Sequence, residues 1–229
     1  MIAAQEALER LREGNLRFVS DNRSYDTLTT QTQRSKLAEG QEPFAVILGC
    51  SDSRVPVEIV FDQGLGDLFV IRVAGNIVAP SQVGSVEFAA EQFGTRLVVV
   101  LGHSRCGVIQ ATIKELENPS KNPSRNVHSI VDRVRPYVAE LMDTELRYNH
   151  EALIQHAVRA NIRASANHLR HGSPIIEQLI QKEGLLVVGA EYSLETGVVD
   201  FFDGIPNINE SSLSLEQFSP TLMSALPHF

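Results

Sequence analysis

The chain has 229 residues and a mass of 25.2 kDa, with 43% hydrophobic and 21% charged residues, which is enough apolar chain to bury a core without disulfides. A net charge of -8 and a pI near 5.4 give the wrong sign for a surface that neutralises phosphates or docks on anionic lipid, which excludes nucleic acid as the expected partner. No apolar run approaches the roughly 18 residues of a membrane-spanning helix, and the polar, charged N-terminus lacks a signal peptide's apolar core, so no membrane partner and a cytoplasmic setting are expected.

Residues 2–18 place Ala4, Leu8, Leu11 and Phe18 on one stripe of an amphipathic helix, ended by the polar run Ser20-Asp21-Asn22-Arg23-Ser24. Residues 1–20 then read either as a surface helix on their own core or as a dimerisation arm on a second subunit. Residues 44–49 (FAVILG), 68–73 (LFVIRV), 97–102 (LVVVLG) and 185–189 (LLVVG) are short β-branched runs, each a strand buried on both faces. Helical stretches separate them at 83–92, 108–116 and 151–169, the last closed by Gly172. A further helix opens at Ser173-Pro174 and closes at Gly184, with Pro in its first turn and Gly past its end. Residues 197–202 (GVVDFF) add an edge strand. Alternation of strand and helix predicts an α/β fold, a mostly parallel sheet flanked by helices with an N-terminal helical arm, as one domain over residues 1–205. Residues 118–126, rich in Asn, Pro and Ser, read as a loop, and 206–229 as a tail whose role the sequence leaves open.

The chain's two cysteines, Cys50 and Cys106, both lie just past predicted buried strands, where open parallel sheets collect their ligands. Alone, two such thiols are inert core residues, one disulfide or part of a metal site. Their loops read Cys50-Ser51-Asp52-Ser53-Arg54 and His103-Ser104-Arg105-Cys106-Gly107. Together they offer two thiolates, one imidazole and one carboxylate, a donor set that suits zinc and not magnesium or calcium. His103 and Cys106 stand three apart at a turn into a helix, whose positive end favours a thiolate. If Asp52 also binds, the site is a closed tetrahedron and reads as structural. If Arg54 holds Asp52 off in a bidentate pair, three ligands leave a position for water. His128, His150, His156, His168, His171 and His228 are all candidate proton shuttles by chemistry alone. His168 and His171, three apart near a helix end, read as a charge-complementing cap in preference to a second metal site.

CSDSR followed about fifty residues later by HSRCG resembles the β-class carbonic anhydrases, densest between residues 41 and 107. The resemblance implies zinc-dependent reversible hydration of carbon dioxide to bicarbonate and a proton by a zinc-bound hydroxide, with one zinc per chain on Cys50, His103 and Cys106. It makes Asp52 and Arg54 the dyad that orients the nucleophile, with Asp52 able to take the metal in a low-pH closed state. Gln41 would bind carbon dioxide or bicarbonate across a subunit interface, implying a homodimer or homotetramer. Phe69, Ala74 and Phe88 match the apolar substrate pocket, and Gly107 the glycine after the second cysteine. Arg72 and Tyr192 match two residues of a regulatory bicarbonate pocket in some members, but Ile47 stands where those have tryptophan, and Val73-Ala74-Gly75-Asn76 departs from the usual Asn-Val-Ala-Asn. Two rivals share these residues: a carbonyl sulfide or carbon disulfide hydrolase, and a non-catalytic protein with a structural zinc.

Overall fold

A computed structural model of the chain describes residues 2–23, 31–121 and 124–206. His228 and the tail beyond residue 206 lie outside them. Five strands form one sheet in the order β2-β1-β3-β4-β5: β1 (Ala45–Gly49), β2 (Leu68–Arg72), β3 (Leu97–His103), β4 (Leu186–Tyr192) and β5 (Val199–Asp203). The first four pair in parallel and β5 is antiparallel to β4, as an edge strand. Every residue of β1 and β3 is buried, which is why their sequences are unbroken apolar runs and not alternating ones.

Helices cover both faces, so the architecture is the mostly parallel α/β sheet expected. One face packs against α4 (Pro80–Gln92), α5 (Gly107–Glu117), α6 (Arg125–Met142), α7 (His150–His171) and α8 (Pro174–Lys182), which bury Val46, Leu48, Val98, Val100 and Val187. The other face packs against α1 (Ala4–Val19) and the short α3 (Val57–Val60), burying Ile47, Val99, Leu101 and Ala190. Helix α2 (Gln31–Leu37) leads into β1. No helix among the described residues is long and apolar enough to cross a membrane.

Helix α6 is the element the sequence concealed. Residues 118–126 suggest a long soft connection and Pro136 interrupts the pattern, yet Val131, Val134 and Val138 form a buried stripe at helical spacing. Ser124 caps its start by accepting from the Val127 N–H.

The stripe of α1 is covered by its own chain: Ala7, Leu8 and Leu11 are buried, while Leu16 and Val19 stay exposed. The helix comes in very close at Gly14, where an added Cβ would sit 1.9 Å from the Phe61 carbonyl oxygen. Asn15, one residue on and buried, then clamps the helix. Its Nδ2 donates to the carbonyls of Val60 (3.1 Å) and Gly197 (2.9 Å), and its Oδ1 accepts from the Val199 N–H (2.9 Å). Arg10 adds a stack over Phe44 at 4.0 Å and an ion pair with Asp67. Because Asn15→Ala strips two buried backbone groups and a half-buried one of their partner, it is expected to lower unfolding free energy by about 2–4 kcal/mol. A denaturant titration checks this, as a lower midpoint at unchanged slope.

Candidate metal centre

The C-terminal ends of β1 and β3 bring the two cysteine loops together. In the parallel register Gly49 lies opposite Leu101, so Cys50 and His103 leave adjacent strands within a residue of each other. Cys50 continues the buried alternation Val46, Leu48, Cys50 on the helix-rich face. Cys106 takes the N-cap position of α5, where the backbone N–H groups of Ile109 and Val108 pull its thiol down but are outweighed by the neighbouring Cys50 and by burial, so the helix start does not by itself make it the thiolate that the sequence suggests. The ligand atoms of Cys50, His103 and Cys106 all lie within 4.8 Å of one another. Both cysteines are free and buried, and His103 is fully buried.

Four observations describe the chemistry of this cluster. First, His103 Nδ1 lies 2.9 Å from the Ser104 carbonyl oxygen, which can only accept, so Nδ1 carries the proton and Nε2 presents its lone pair. Second, Nε2 is buried with no hydrogen-bond partner, a condition that costs about 1–3 kcal/mol unless something binds there. Third, the neighbouring Cys106 thiol, ahead of the adjacent His103 ring and the Gly75 N–H, drives the Cys50 thiol down against its burial, and the same contact pushes Cys106 up. The two sulfurs are thus driven in opposite directions and titrate as a pair. Burial alone would lower His103, but the Cys50 thiolate, the Ser104 carbonyl and Asp52 together raise it. Fourth, tetrahedral zinc with bonds of about 2.0–2.3 Å needs its donors within about 4 Å of each other, a spacing compatible with this cluster. The residues therefore fit a soft, tetrahedral cation.

Asp52 is held away from the three ligands. Arg54 donates from Nε to Oδ1 at 2.9 Å and from Nη2 to Oδ2 at 2.7 Å, and its backbone N–H adds a third bond at 3.0 Å. These bonds, the side-chain pair above all, hold the carboxyl well below the usual carboxylate range. Asp52 Oδ2 still lies 3.9 Å from His103 Nε2, beside the cluster but not hydrogen-bonded into it.

The other sequence-selected residues divide. Ala74 adjoins the cluster, in a 3-10 turn over Ala74–Asn76. Gly107 opens α5, and no described atom lies within 4 Å of where its Cβ would be. Gln41, Phe69 and Phe88 lie elsewhere within one chain. Gln41 is exposed before β1, in a cavity of about 520 Å³ with Leu37 and Leu65. The five residues of β1 put about 16 Å between it and Cys50. Phe69, opposite Val46 at the far end of the strands, meets Phe88 at 6.2 Å and Phe93 at 6.0 Å, and Phe88 is half exposed. Arg72 and Tyr192 end β2 and β4, with β1 and β3 between them, about 14 Å apart. Arg72 is engaged by the carbonyls of Cys50 (3.0 Å) and Asp52 (2.6 Å), while Tyr192 shares a cavity of about 380 Å³ with Arg54 and Arg105. His168 and His171 fall in the last turn of α7, where positive charge complements the helix dipole.

Two residues around the cluster escaped the sequence reading. The Gly75 N–H bonds Cys50 Sγ at 3.3 Å, and Asn161 of α7, buried, holds the Gly75 carbonyl at 2.8 Å. Gly75 takes φ +74°, and a Cβ there would lie 2.8 Å from Val108 Cγ1. The only sequence cue was the departure of residues 73–76 from the family pattern.

Comparison with known proteins places this geometry. The sequence profile of the family described as carbonic anhydrase matches residues 45–199. Carbonic anhydrase 2 of Mycobacterium tuberculosis is 36% identical over 212 residues, covering 89% of this chain and 95% of that protein. The structure of the β-carbonic anhydrase CcaA superposes with a TM-score of 0.68 at 28% identity, covering 90% of this chain and 92% of that one. A β-carbonic anhydrase from Sordaria macrospora, described as tetrameric, superposes at 0.66 with 25% identity, over 74% of this chain and 85% of that one. Matched across most of its length by sequence and by fold, with two thiols and an imidazole converging where β1 and β3 end, the chain belongs to the β-class carbonic anhydrases, a family of lyases.

Proposed function

We propose that the protein catalyses the reversible hydration of carbon dioxide to bicarbonate and a proton, with one zinc ion per chain on Cys50, His103 and Cys106. The observation that carries this reading is the partnerless, buried His103 Nε2 facing two thiols within 4.8 Å. Zinc held there supplies a Lewis acid that lowers the pKa of water to about 7. The residues do the rest. Cys50 and Cys106 give up their protons to become ligands, and the Gly75 N–H steadies the Cys50 sulfur. Asp52, ionised and fixed by Arg54, accepts a hydrogen bond from the attacking oxygen and so aims its lone pair at the carbon. The proton released with bicarbonate passes to solvent.

The Asp52–Arg54 pair also supports the enzyme over the structural staple. A staple would recruit Asp52 as fourth ligand, whereas here both of its oxygens are bound by Arg54, which supports an open coordination position. Gating by pH is part of the proposal: a carboxylate released by Arg54 closes that position. The apolar pocket and Gln41 are supplied by a second copy, because within one chain Gln41 and Phe88 stand at the opposite end of the strands from Cys50. A homodimer or homotetramer is therefore proposed, the latter by analogy with the tetrameric Sordaria relative. A domain over residues 1–205 with an appended tail, and a cytoplasmic setting that keeps both thiols reduced, complete the reading.

Three outcomes follow. Cys50→Ser leaves one thiolate and the imidazole, so metal content measured by elemental analysis is expected to fall from one per chain to well below, with carbon dioxide hydration lost in stopped flow. Arg54→Ala is expected to keep its metal and lose about 10-fold or more in kcat, as Asp52 is freed from its orienting pair. Gln41→Ala is expected to lower turnover at unchanged metal content. Mixing it with the Cys50→Ser chain should restore part of the activity if the site is shared between copies.

A further inference from the structure

Glu195 lies outside both cysteine loops, in the turn between β4 and β5, yet its carboxylate reaches the turn that joins His103 to Cys106. One oxygen accepts from Ser104 Oγ at 2.7 Å and the other from Arg105 Nε at 2.5 Å. The Ser104 hydroxyl is held on its other side by the Leu194 N–H at 3.0 Å, and the Ser104 N–H donates to the Tyr192 carbonyl at 2.9 Å. The turn is therefore stitched to the end of β4 through one serine and one acid.

This turn needs holding. Arg105 adopts φ +55°, a left-handed conformation that non-glycine residues rarely take. Gln110 Nε2 donates to the Arg105 carbonyl at 3.1 Å from the far side. The peptide between Ser104 and Arg105 carries the carbonyl that receives the His103 Nδ1 proton. Rotating that peptide turns the carbonyl away, and with it go the tautomer and the aim of Nε2. Glu195 grips the side chains on both sides of this one peptide.

We propose that Glu195 is a positioning residue for His103, a clasp that keeps the Ser104 carbonyl on Nδ1 and thereby points Nε2 at the metal. The inference rests on the metal assignment above. The Arg105–Glu195 pair is exposed, where ion pairs add little to folding, so the clasp acts on the geometry of the ligand and not on global stability.

The test loads metal-free wild type, Glu195→Ala, Glu195→Gln and Ser104→Ala with cobalt(II) and with zinc, in competition with a chromophoric chelator. Glu195→Ala and Ser104→Ala are expected to bind both ions about 10–100-fold more weakly, with an altered cobalt absorption spectrum. Glu195→Gln keeps an acceptor for Ser104 and is expected to fall between them and wild type. The thermal midpoint of the metal-free chains should not move. Wild-type affinity and spectrum in Glu195→Ala would overturn the proposal, as would a loss of affinity matched by a fall in the metal-free midpoint. A wild-type chain that binds neither ion would overturn the metal assignment itself, and the clasp with it.

Discussion

Everything at this site follows from one constraint: a buried imidazole nitrogen and two buried sulfurs have been brought together with fewer protons and partners than they need. His103 Nε2 has no hydrogen bond in a fully buried position, and the contact between Cys50 and Cys106 drives one thiol down and the other up. Leaving such a group unsatisfied costs about 1–3 kcal/mol, a sizeable share of a domain's stability. A cation at that point removes the deficit, because both thiolates and the imidazole lone pair become ligands at once. The same cluster that burdens the metal-free fold is thereby made ready for metal.

The backbone around the cluster is tied with unusual thoroughness, and each tie runs to a different element. Arg72, ending β2, holds the carbonyls of Cys50 and Asp52. Asn161 of α7 holds the peptide whose N–H meets Cys50 Sγ. Arg105 and Ser104 are drawn toward β4 by Glu195 and Leu194. His103 ends β3, Cys50 follows β1 and Cys106 precedes α5, and the turns around them are fastened to the sheet and to α7, which gives these candidate ligands the placement of scaffold residues.

How far the sequence revealed this depended on whether a residue acts locally. The strands were legible because burial on both faces leaves unbroken apolar runs, and β1 through β4 fall within a few residues of their expected bounds. Cys50, His103 and Cys106 were legible because soft ligands at strand ends have few other uses, and Asp52 with Arg54 because the pair is two residues apart. Helix α6 was hidden by Pro136 and by the Asn- and Ser-rich stretch before it. Gly75, Asn161 and Glu195 were hidden for another reason. Each acts through a hydrogen bond that spans dozens of residues of sequence, and nothing in their own neighbourhoods marks them. The arm illustrates the same limit: periodicity identifies an apolar stripe on α1 but not the surface that covers it. Asn15, which fastens one side of the helix to its own chain, looks in the sequence like any polar helix residue.

The division of the site between its two ends carries the last step. Open parallel sheets collect their ligands at the carboxyl ends of the strands, so in the proposed reading Gln41, which precedes β1, stands too far from Cys50 to serve the ion of its own chain. Gln41 and the phenylalanine cluster of Phe69, Phe88 and Phe93 occupy that other end, and Phe88 is half exposed. Phe69 and Phe93 pack against the core, but the open face of Phe88 leaves apolar area in water that a covering surface would bury. A second copy that placed this end over a neighbour's cysteine loops would cover the cluster and supply the apolar wall that carbon dioxide, a small molecule without a dipole, requires. The metal could then be held by one chain alone while the substrate site was built by two, so that binding the ion and turning over substrate would depend on different surfaces of the same fold.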